Sequence, residues 1–384
     1  MRTAITGAAL VLLGALAIPL GILSPTAAAA LGERVWPILL FVVAITVVTE
    51  LAAEAGLFHV LAEQAARWGR GRAWLLWLLV VALAVVSTVF LSLDTTAVLL
   101  TPAVIVLARH TGLSPLPFAL TTVWLANTAS LLLPVSNLTN LLAQHRLGGP
   151  APAEFARLTW APALVAVLVP VIVIFVLFRR VLRVSYRPDA PRPVDDRPLL
   201  VITAVVIIVL LPALVSGLAV WIPACAAAVV LAAAFAVRRP HALSVSVLPW
   251  QLVLLASGLF LVVEAAHALG LEALLSTIAG TGDGAGSLLR LAGVGAVGAN
   301  AIDNLPAYLA LEPVANSPAR LVALLIGVNT GPLVTPWASL ATLLWHQRLS
   351  AMGVEISWRR YLLLGVIVAP VVVTAATLAS VLAA

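Results

Sequence analysis

The sequence is poor in charge, has a single cysteine and contains no lysine. Charged residues make up 9% of the 384 positions, whereas soluble domains carry roughly 25%, so a water-soluble globular protein is excluded. Cys225 has no partner for an intramolecular disulfide, a CxxC redox site or a cysteine-built metal cluster. The sequence also has no P-loop motif, which argues against ATP as the direct energy source.

Hydrophobic residues, by contrast, are in large excess, at 63% of the chain. All 21 basic residues are arginine and the formal net charge is +6. These arginines lie between apolar runs, which is a topology signal of membrane proteins and not a surface for nucleic acid. The composition therefore predicts an integral membrane protein that lies in a lipid bilayer and has no nucleic-acid partner.

The apolar runs predict an all-α polytopic fold with about nine spans and two re-entrant hairpins. A bilayer-crossing helix needs about 20 apolar residues. Such runs lie at about 4–23, 35–55, 116–142, 158–178, 199–217, 218–237, 249–267, 318–345 and 361–382. Two further stretches, about 75–110 and 285–312, are each interrupted by a carboxylate, Asp94 or Asp303. Broken helices at membrane depth occur only where they face protein or a wet cavity, so we predict that both stretches are hairpins beside a pathway.

The arginines also predict the orientation of the chain. With a cytoplasmic N-terminus and both hairpins returning to the side they entered from, 16 arginines lie inside and 5 outside, as the positive-inside rule requires. This places the C-terminus outside, in a plasma (inner) membrane of bacterial type. Residues 1–28 are predicted to be a retained helix, with a cleaved signal peptide as the alternative.

The loop 181–198 is rich in proline and charge and is predicted to be a cytoplasmic linker. It divides the chain into a first transmembrane repeat, 1–180, with the hairpin at about 75–110, and a second, 199–384, with the hairpin at about 285–312.

An internal repeat relates the two halves. Residues 127–147 align with residues 329–349 without a gap, and nine of the 21 positions are identical. Upstream, Asp94 parallels Asp303, and Glu50 parallels Glu264. In the predicted topology the paired segments cross the membrane in opposite directions, so we predict inverted-topology repeats, an architecture of secondary transporters.

We predict that each aligned segment contains a break in its transmembrane helix, at 127–140 and 329–342. Polar residues gather in these two breaks and at the two hairpin tips. The predicted substrate or ion site consists of Asp94, Thr95, Thr96, Asn127, Thr128, Ser130, Ser136, Asn137, Thr139, Asn140, Asp303, Asn304, Asn329, Thr330, Thr335, Ser339 and Thr342. Amides and hydroxyls supply both donors and acceptors, and Pro134 and Pro336 free backbone carbonyls beside them. Such a set suits a small polyhydroxylated solute or a desolvated cation. Hydrogen bonding between helices is the structural alternative.

Ionisable groups within the membrane are functional candidates by default. Asp94 and Asp303 are predicted to bind and release a proton as access switches, and capping of the second half-helix of each hairpin is the alternative. Glu264 shares a helical face with His267, as Glu50 does with Glu54. Either pair could relay protons, or could simply be solvated near the end of a span.

Several segments resemble the arsenite efflux permease family of ArsB type. They are LDTTAVLLTP at 93–102, ANTASLLLPVSNLTN at 126–140, LPWQLVLLASGLFLVVEAAHALGL at 248–271, DNLPAYL at 303–309 and TGPLVTPWASLATLLWHQRLSAMGVEISWRRYL at 330–362. The resemblance runs from about residue 35 to the C-terminus. The family belongs to a wider ion-transporter superfamily that includes sodium-coupled dicarboxylate carriers.

The resemblance implies export of arsenite or antimonite as neutral trihydroxides in exchange for protons, without an enzymatic reaction or a cofactor. It also implies an optional soluble ATPase subunit, and a homodimer is one assembly that we consider. The chain departs from the family pattern in having Leu93 in place of Asn before the first tip Asp, Asn127 and Asn329 in place of Asp, and Leu333 in place of Lys.

Two other functions remain open at the level of sequence. A sodium-coupled carrier of a small anion, such as a dicarboxylate, is suggested by the superfamily, with Asn127-Thr128 and Asn329-Thr330 as cation ligands. Two tip carboxylates would repel an anion, however. A channel or membrane scaffold is the third reading, and the matched repeats argue against it.

Overall fold

The computed structural model describes residues 2–187 and 194–383, leaving aside the side chains of residues 2 and 3. Within these residues the secondary structure is helical, apart from one isolated antiparallel bridge between Arg72 and Ser185. Part of the predicted linker 181–198, residues 188–193 with Arg192, lies outside the described residues. The division into two domains at this linker stays a prediction.

The first half of the chain forms eight helices. They are α1 (Arg2–Leu16), α2 (Pro25–Glu54), α3 (Leu57–Trp68), α4 (Ala73–Leu91), α5 (Leu93–His110), α6 (Pro115–Thr128), α7 (Leu138–Arg146) and α8 (Pro152–Phe178). Proline stands in the first turn of α2, α6 and α8, where its missing N–H costs no hydrogen bond.

The second half forms nine helices among the described residues. They are α9 (Arg197–Leu214), α10 (Trp221–Arg238), α11 (Trp250–Ala268), α12 (Leu271–Ala279), α13 (Ala285–Ile302), α14 (Asn304–Leu311), α15 (Pro318–Thr330), α16 (Leu340–Ala351) and α17 (Trp358–Ala383).

Nine of the described helices are long and apolar enough to cross a membrane: α2, α4, α5, α8, α9, α10, α11, α13 and α17. The number equals the predicted number, but the helices are not all the same. The predicted spans 116–142 and 318–345 are each divided into two shorter helices, whereas both halves of the predicted hairpin at 75–110 reach the length of a span. The division of these two spans falls at the predicted breaks. The predicted span 4–23 is wrong in length, because α1 ends at Leu16, and α13 of the second hairpin also reaches the length of a span.

Both predicted hairpins reverse direction at a residue with positive φ. The hydroxyl of Thr96 receives a hydrogen bond from Thr88 (2.8 Å) and donates one to Ser87 (2.9 Å). Eight or nine residues along one straight helix would separate these groups by roughly 12 Å, so the chain folds back between α4 and α5. In the second hairpin, a Cβ placed on Gly298 would lie 3.3 Å from the Cβ of Ala307.

The residues at the two turns change the predicted alignment of the tips, which paired Asp94 with Asp303. They are Ser92 (φ 113°, ψ 161°) and Asp303 (φ 99°, ψ 154°). In backbone conformation the counterpart of Asp303 is therefore Ser92, and Asp94 lies two residues further along. The carboxylates looked equivalent in sequence because sequence carries no direct signal for a positive φ at a non-glycine residue.

The gapless repeat at 127–147 and 329–349 is matched in the local structure. Helices α6 and α15 end at Thr128 and Thr330, and α7 and α16 begin after Asn137 and Ser339. These last two residues have nearly identical backbones, with φ and ψ of −153° and 146° for Asn137 and −152° and 135° for Ser339. Each predicted break is thus a helix end, an irregular segment of turns that contains Pro134 or Pro336, and a new helix start.

Close helix packing surrounds the breaks. Helix α1 packs along α11, where a Cβ on Gly258 would lie 2.6 Å from the Cβ of Leu10. On the other side of the molecule α8 packs against α17, and α13 against α15. Helix α17 comes so near the second break that a Cβ on Gly365 would overlap the carbonyl oxygen of Leu333. The two breaks are held in the interior by these contacts.

Candidate functional site

The two breaks meet and are joined by buried hydrogen bonds between side chains. Asn329 accepts hydrogen bonds from the Nδ2 of Asn137 (3.0 Å) and the hydroxyl of Thr139 (2.8 Å). Its own Nδ2 donates to the Oδ1 of Asn140 (2.8 Å). All four residues are at most 5% exposed. Polar groups distant in sequence are therefore concentrated at one buried point.

These contacts are related by a pseudo-two-fold pattern. Asn329 bonds to Asn140, and the equivalent pair in the repeat, Asn127 and Thr342, is joined by a longer hydrogen bond of 3.4 Å from Asn127 Nδ2. Each position of the repeat thus contacts the same partner position in the opposite half of the chain. Such reciprocal contacts are typical of a two-fold relationship. The two sides of the pattern are not equal in hydrogen bonding. The Oδ1 of Asn127 is buried without a hydrogen-bond partner among the described residues.

Each break is also hydrogen-bonded to a hairpin. Ser136 donates to the carbonyl of Val89 (2.8 Å) near the first tip. On the second side, Asn300 accepts from the backbone N–H of Val334 (3.2 Å) and of Thr335 (3.0 Å), and its own carbonyl accepts from the Thr335 hydroxyl (2.7 Å). Asn300 was not predicted as a site residue. Its only sequence signal is an amide in a helix of Gly, Ala and Val, three residues before Asp303.

A cavity of about 450 Å³, the central cavity, lies between the tips and the breaks. Its polar lining consists of Thr6, Thr46, Ser92, Asp94, Asn137, Asp303, Asn304, Trp337 and Ser339, and the rest is apolar. None of the described residues that line it is arginine. The cavity therefore offers hydroxyls, amides and two carboxyl groups, with no cation to bind an anion.

The structure divides the predicted site residues into three groups. Those that line the central cavity are Asp94, Asn137, Asp303, Asn304 and Ser339. A second group, Asn127, Thr139, Asn140, Asn329 and Thr342, forms the hydrogen-bonded junction behind it. The third group, Thr95, Thr96, Ser130, Ser136, Thr330 and Thr335, hydrogen-bonds to backbone or neighbouring hydroxyl groups. The second and third groups agree with the structural alternative of hydrogen bonds within and between helices.

Two predicted residues fall outside these groups. The hydroxyl of Thr128 is buried and has no hydrogen-bond partner among the described residues. Glu264 lies away from the central cavity, in a separate cavity of about 210 Å³ that also contains His267. We call this the far cavity. Cys225 lies in α10 and is not part of the lining of the central cavity.

The two aspartates differ in their surroundings. Asp303 accepts a hydrogen bond from the N–H of Leu305 (3.1 Å) and so caps α14, as the alternative role proposed from the sequence requires. Asp94 lies in the first turn of α5, at the positive end of the helix dipole, but it does not make the capping hydrogen bond. Ser92 caps the start of α5 through the N–H of Thr95 (3.4 Å), and no hydrogen bond joins the Asp94 carboxyl group to another described residue. Of the two carboxyl groups, that of Asp94 is thus the one without a hydrogen bond among the described residues.

Asp94 also lies where the central cavity joins a second one. A side cavity of about 490 Å³ shares Thr46, Ser92, Asp94, Leu252 and Leu340 with the central cavity. It extends to Glu50 and Arg348 at the ends of α2 and α16. The Asp94 residue therefore lines both cavities.

Ser339 is a further group suited to contact a solute. It is 1% exposed, lines the central cavity, and its hydroxyl has no hydrogen-bond partner among the described residues. A buried polar group without a partner is unfavourable, and a hydroxylated solute could supply that partner.

Comparison with known proteins gives concordant results. Residues 2–342 match the family of citrate transporters, CitMHS. The chain is 29% identical over 376 residues to the arsenical pump membrane protein of Escherichia coli strain K12, covering 92% of this chain and 87% of that protein. It is 30% identical over 359 residues to the arsenical pump membrane protein of Yersinia enterocolitica, with coverages of 87% and 83%.

A more distant sequence and one solved structure are also similar to this chain. A putative arsenical pump membrane protein of Bacillus subtilis is 24% identical over 370 residues. The crystal structure of the Alcanivorax borkumensis YdaH transporter, described as having an unusual topology, superposes with a TM-score of 0.59 at 15% sequence identity. That similarity covers 94% of this chain and 89% of the other chain, and it concerns the fold alone.

Proposed function

This chain belongs to the CitMHS and ArsB-like family of membrane transporters, and from that membership we propose that it exports arsenite or antimonite, as the neutral trihydroxide, in exchange for protons. It is a multi-pass secondary transporter and not an enzyme. The substrate and the coupling ion are the proposed parts of this description.

The observation that carries the proposal is the chemistry of the central cavity. It combines hydroxyl, amide and carboxyl groups with apolar walls and contains no arginine among the described lining residues. An uncharged trihydroxide needs donors and acceptors and no counter-charge. A dicarboxylate or tricarboxylate in the same place would face Asp94 and Asp303 without a cation, an arrangement that low-dielectric surroundings penalise strongly.

Asp94 is suited to couple the export of the solute to the entry of protons. Its carboxyl group lies at the junction of the central and side cavities and has no hydrogen bond to another described residue. Protonation would remove the charge from the cavity and deprotonation would restore it, so the carboxyl group can hold a proton or face a bound solute. Asp303, which caps α14, supports the second tip and supplies the second carboxyl group.

The pseudo-two-fold junction supports alternating access. The matched helix ends and the exchanged contacts between Asn127, Asn140, Asn329 and Thr342 agree with two repeats around one site. We infer that the repeats are inverted across the membrane, with the N-terminus in the cytoplasm and the C-terminus outside. A soluble ATPase subunit belongs to the same proposal, since the relatives are named as pump membrane proteins. The homodimer stays a prediction.

A sodium-coupled carrier of a small anion is the second candidate, and the match to citrate transporters favours it. The cation nearest to the central cavity on this reading is Arg348, in the side cavity. Under this candidate, Asn127→Ala would raise the sodium concentration needed for half-maximal transport, because Asn127 and Thr128 would be cation ligands.

Uptake of radiolabelled arsenite into everted membrane vesicles separates the two candidates. We expect uptake driven by an imposed proton gradient, abolished by a protonophore and unaffected by sodium. Asp94→Asn should abolish gradient-driven uptake at normal protein level. Asp283→Asn is the matched control, because Asp283 is an exposed carboxylate that accepts a hydrogen bond from Ser317 (2.7 Å).

Sodium-dependent uptake of a dicarboxylate, with none of arsenite, would replace the proposal by the second candidate. Normal proton-driven uptake by Asp94→Asn would leave the export function standing and remove Asp94 from coupling.

A further inference from the structure

Helix α2 passes three cavities in order along its length. Leu31 and Arg34 line the far cavity, residues from Phe41 to Thr46 line the central cavity, and Thr46 to Glu50 line the side cavity. With a rise of 1.5 Å per residue, Arg34 and Thr46 are about 18 Å apart. The far and side cavities therefore lie at opposite ends of α2, with the central cavity between them.

The central cavity adjoins the cavity at one end of α2 and is separated from the cavity at the other. It shares five lining residues with the side cavity and none with the far cavity. We call the end at Arg34, which is separated from the central cavity, the closed end, and the end at Glu50 and Arg348, which adjoins it, the open end.

A partly buried ion pair lies at the closed end, in which the side chain of Arg34 is 23% exposed and that of Glu312 is 7% exposed. Arg34 of α2 donates to the Oε1 of Glu312, and the hydroxyl of Tyr308 donates to the same oxygen (3.1 Å). Glu312 is 5% exposed and directly follows α14, the helix that begins at Asp303 in the second tip. A single short helix therefore connects the tip in the central cavity to the ion pair.

The two ends carry equivalent charged residues. Glu264 and Arg146 line the far cavity, and their counterparts in the repeat, Glu50 and Arg348, line the side cavity. Among the described residues, neither glutamate has an arginine within ion-pair distance at its own end. The contact between Arg34 and Glu312 is thus what distinguishes the closed end from the open one.

We propose that Arg34, Glu312 and Tyr308 form a latch that closes the central cavity toward the far end, and that release of this latch admits solute from that side. The inference rests on the alternating access of the proposed function and is independent of the substrate. Breaking one partner of a buried ion pair leaves a charge without its counter-charge, so substitution of either residue should favour the open form of this end.

Thiol labelling measures this access directly. In a Cys225→Ala background, Leu141→Cys places one thiol in the central cavity, on α7. A membrane-impermeant maleimide is applied to right-side-out and to everted vesicles. Gly32→Cys, an exposed position two residues from Arg34, identifies the vesicle face on which Arg34 lies.

We expect Arg34→Gln and Glu312→Gln each to raise the rate of labelling of Leu141→Cys from the Arg34 face about tenfold, which corresponds to about 1.4 kcal/mol. Tyr308→Phe removes one hydroxyl and should give a smaller rise. The exchange Arg34→Glu with Glu312→Arg should restore slow labelling. Arg157→Gln, an exposed arginine near the start of α8, is the matched control and should change nothing.

Unchanged labelling in Arg34→Gln, Glu312→Gln and Tyr308→Phe would overturn the latch. A rise that the charge exchange fails to reverse, or one seen equally from both faces, would indicate loosened packing and would also overturn it. Failure of arsenite transport leaves the labelling result intact, so the two proposals can fail separately.

Discussion

Asn127 and Asn329 occupy equivalent positions of the repeat, yet we expect their substitution by alanine to have very different effects on stability. The side chain of Asn329 makes three hydrogen bonds to the opposite break, with Asn137, Thr139 and Asn140. The side chain of Asn127 bonds mainly within its own helix, to the carbonyl of Val123 (3.0 Å), and only weakly to Thr342 (3.4 Å).

The size of the difference follows from the number of bonds lost. Side-chain hydrogen bonds between membrane helices average about 0.6 kcal/mol and reach about 1.7. Asn329→Ala removes three such bonds and leaves three buried polar atoms without these partners, so we expect a loss of about 2–5 kcal/mol in the free energy of unfolding. Asn127→Ala removes one long bond to the other break, and we expect a loss of at most about 1 kcal/mol.

The apparent Tm of the purified protein in detergent, followed by tryptophan fluorescence, tests this expectation. Asn329→Ala should unfold at a clearly lower temperature than Asn127→Ala, and Asn127→Ala should stay close to the unsubstituted protein. The double variant should unfold near Asn329→Ala, since the larger loss dominates. Equal shifts for the two single variants, or a larger one for Asn127→Ala, would refute the reasoning that the junction depends on Asn329.

Two further predictions concern packing and surface charge. Gly365→Ala should prevent stable folding because a Cβ there overlaps the carbonyl oxygen of Leu333, whereas Gly32→Ala should be tolerated because nothing lies within 4 Å; the amount of folded protein in detergent measures both. The hydrogen bond from Arg238 lowers the pKa of Asp196, so the charged carboxylate stabilises the contact between α9 and α10 near neutral pH. Asp196→Asn should lower the apparent Tm at pH 7, and the difference should vanish as pH falls through the lowered pKa; a difference that persists in acid would contradict this.

The breaks and hairpins could be predicted because they leave strong local signals. A carboxylate or a group of amides and hydroxyls in an apolar stretch is conspicuous, and the gapless repeat gives it a second instance. The helix boundaries at Thr128 and Thr330, and again at Asn137 and Ser339, follow the repeat exactly in register. Local composition was sufficient here because an interrupted helix in a membrane requires polar groups at the interruption.

Contacts between distant segments left no comparable signal. Arg34 and Glu312 are 278 positions apart, and each taken alone resembles a charged residue near the end of a span. The two tip aspartates looked equivalent, and only the positive φ of Ser92 and Asp303 showed that they are offset by two residues.

The sequence by itself determined that this protein lies in a membrane, where its helices are interrupted, and which polar residues belong to the repeat, because composition and periodicity are properties of the chain. The tertiary structure decided which of those residues face the central cavity, which of them only join helices, and which end is closed. Those distinctions depend on distances and directions between side chains far apart in sequence, and these exist only once the helices have packed.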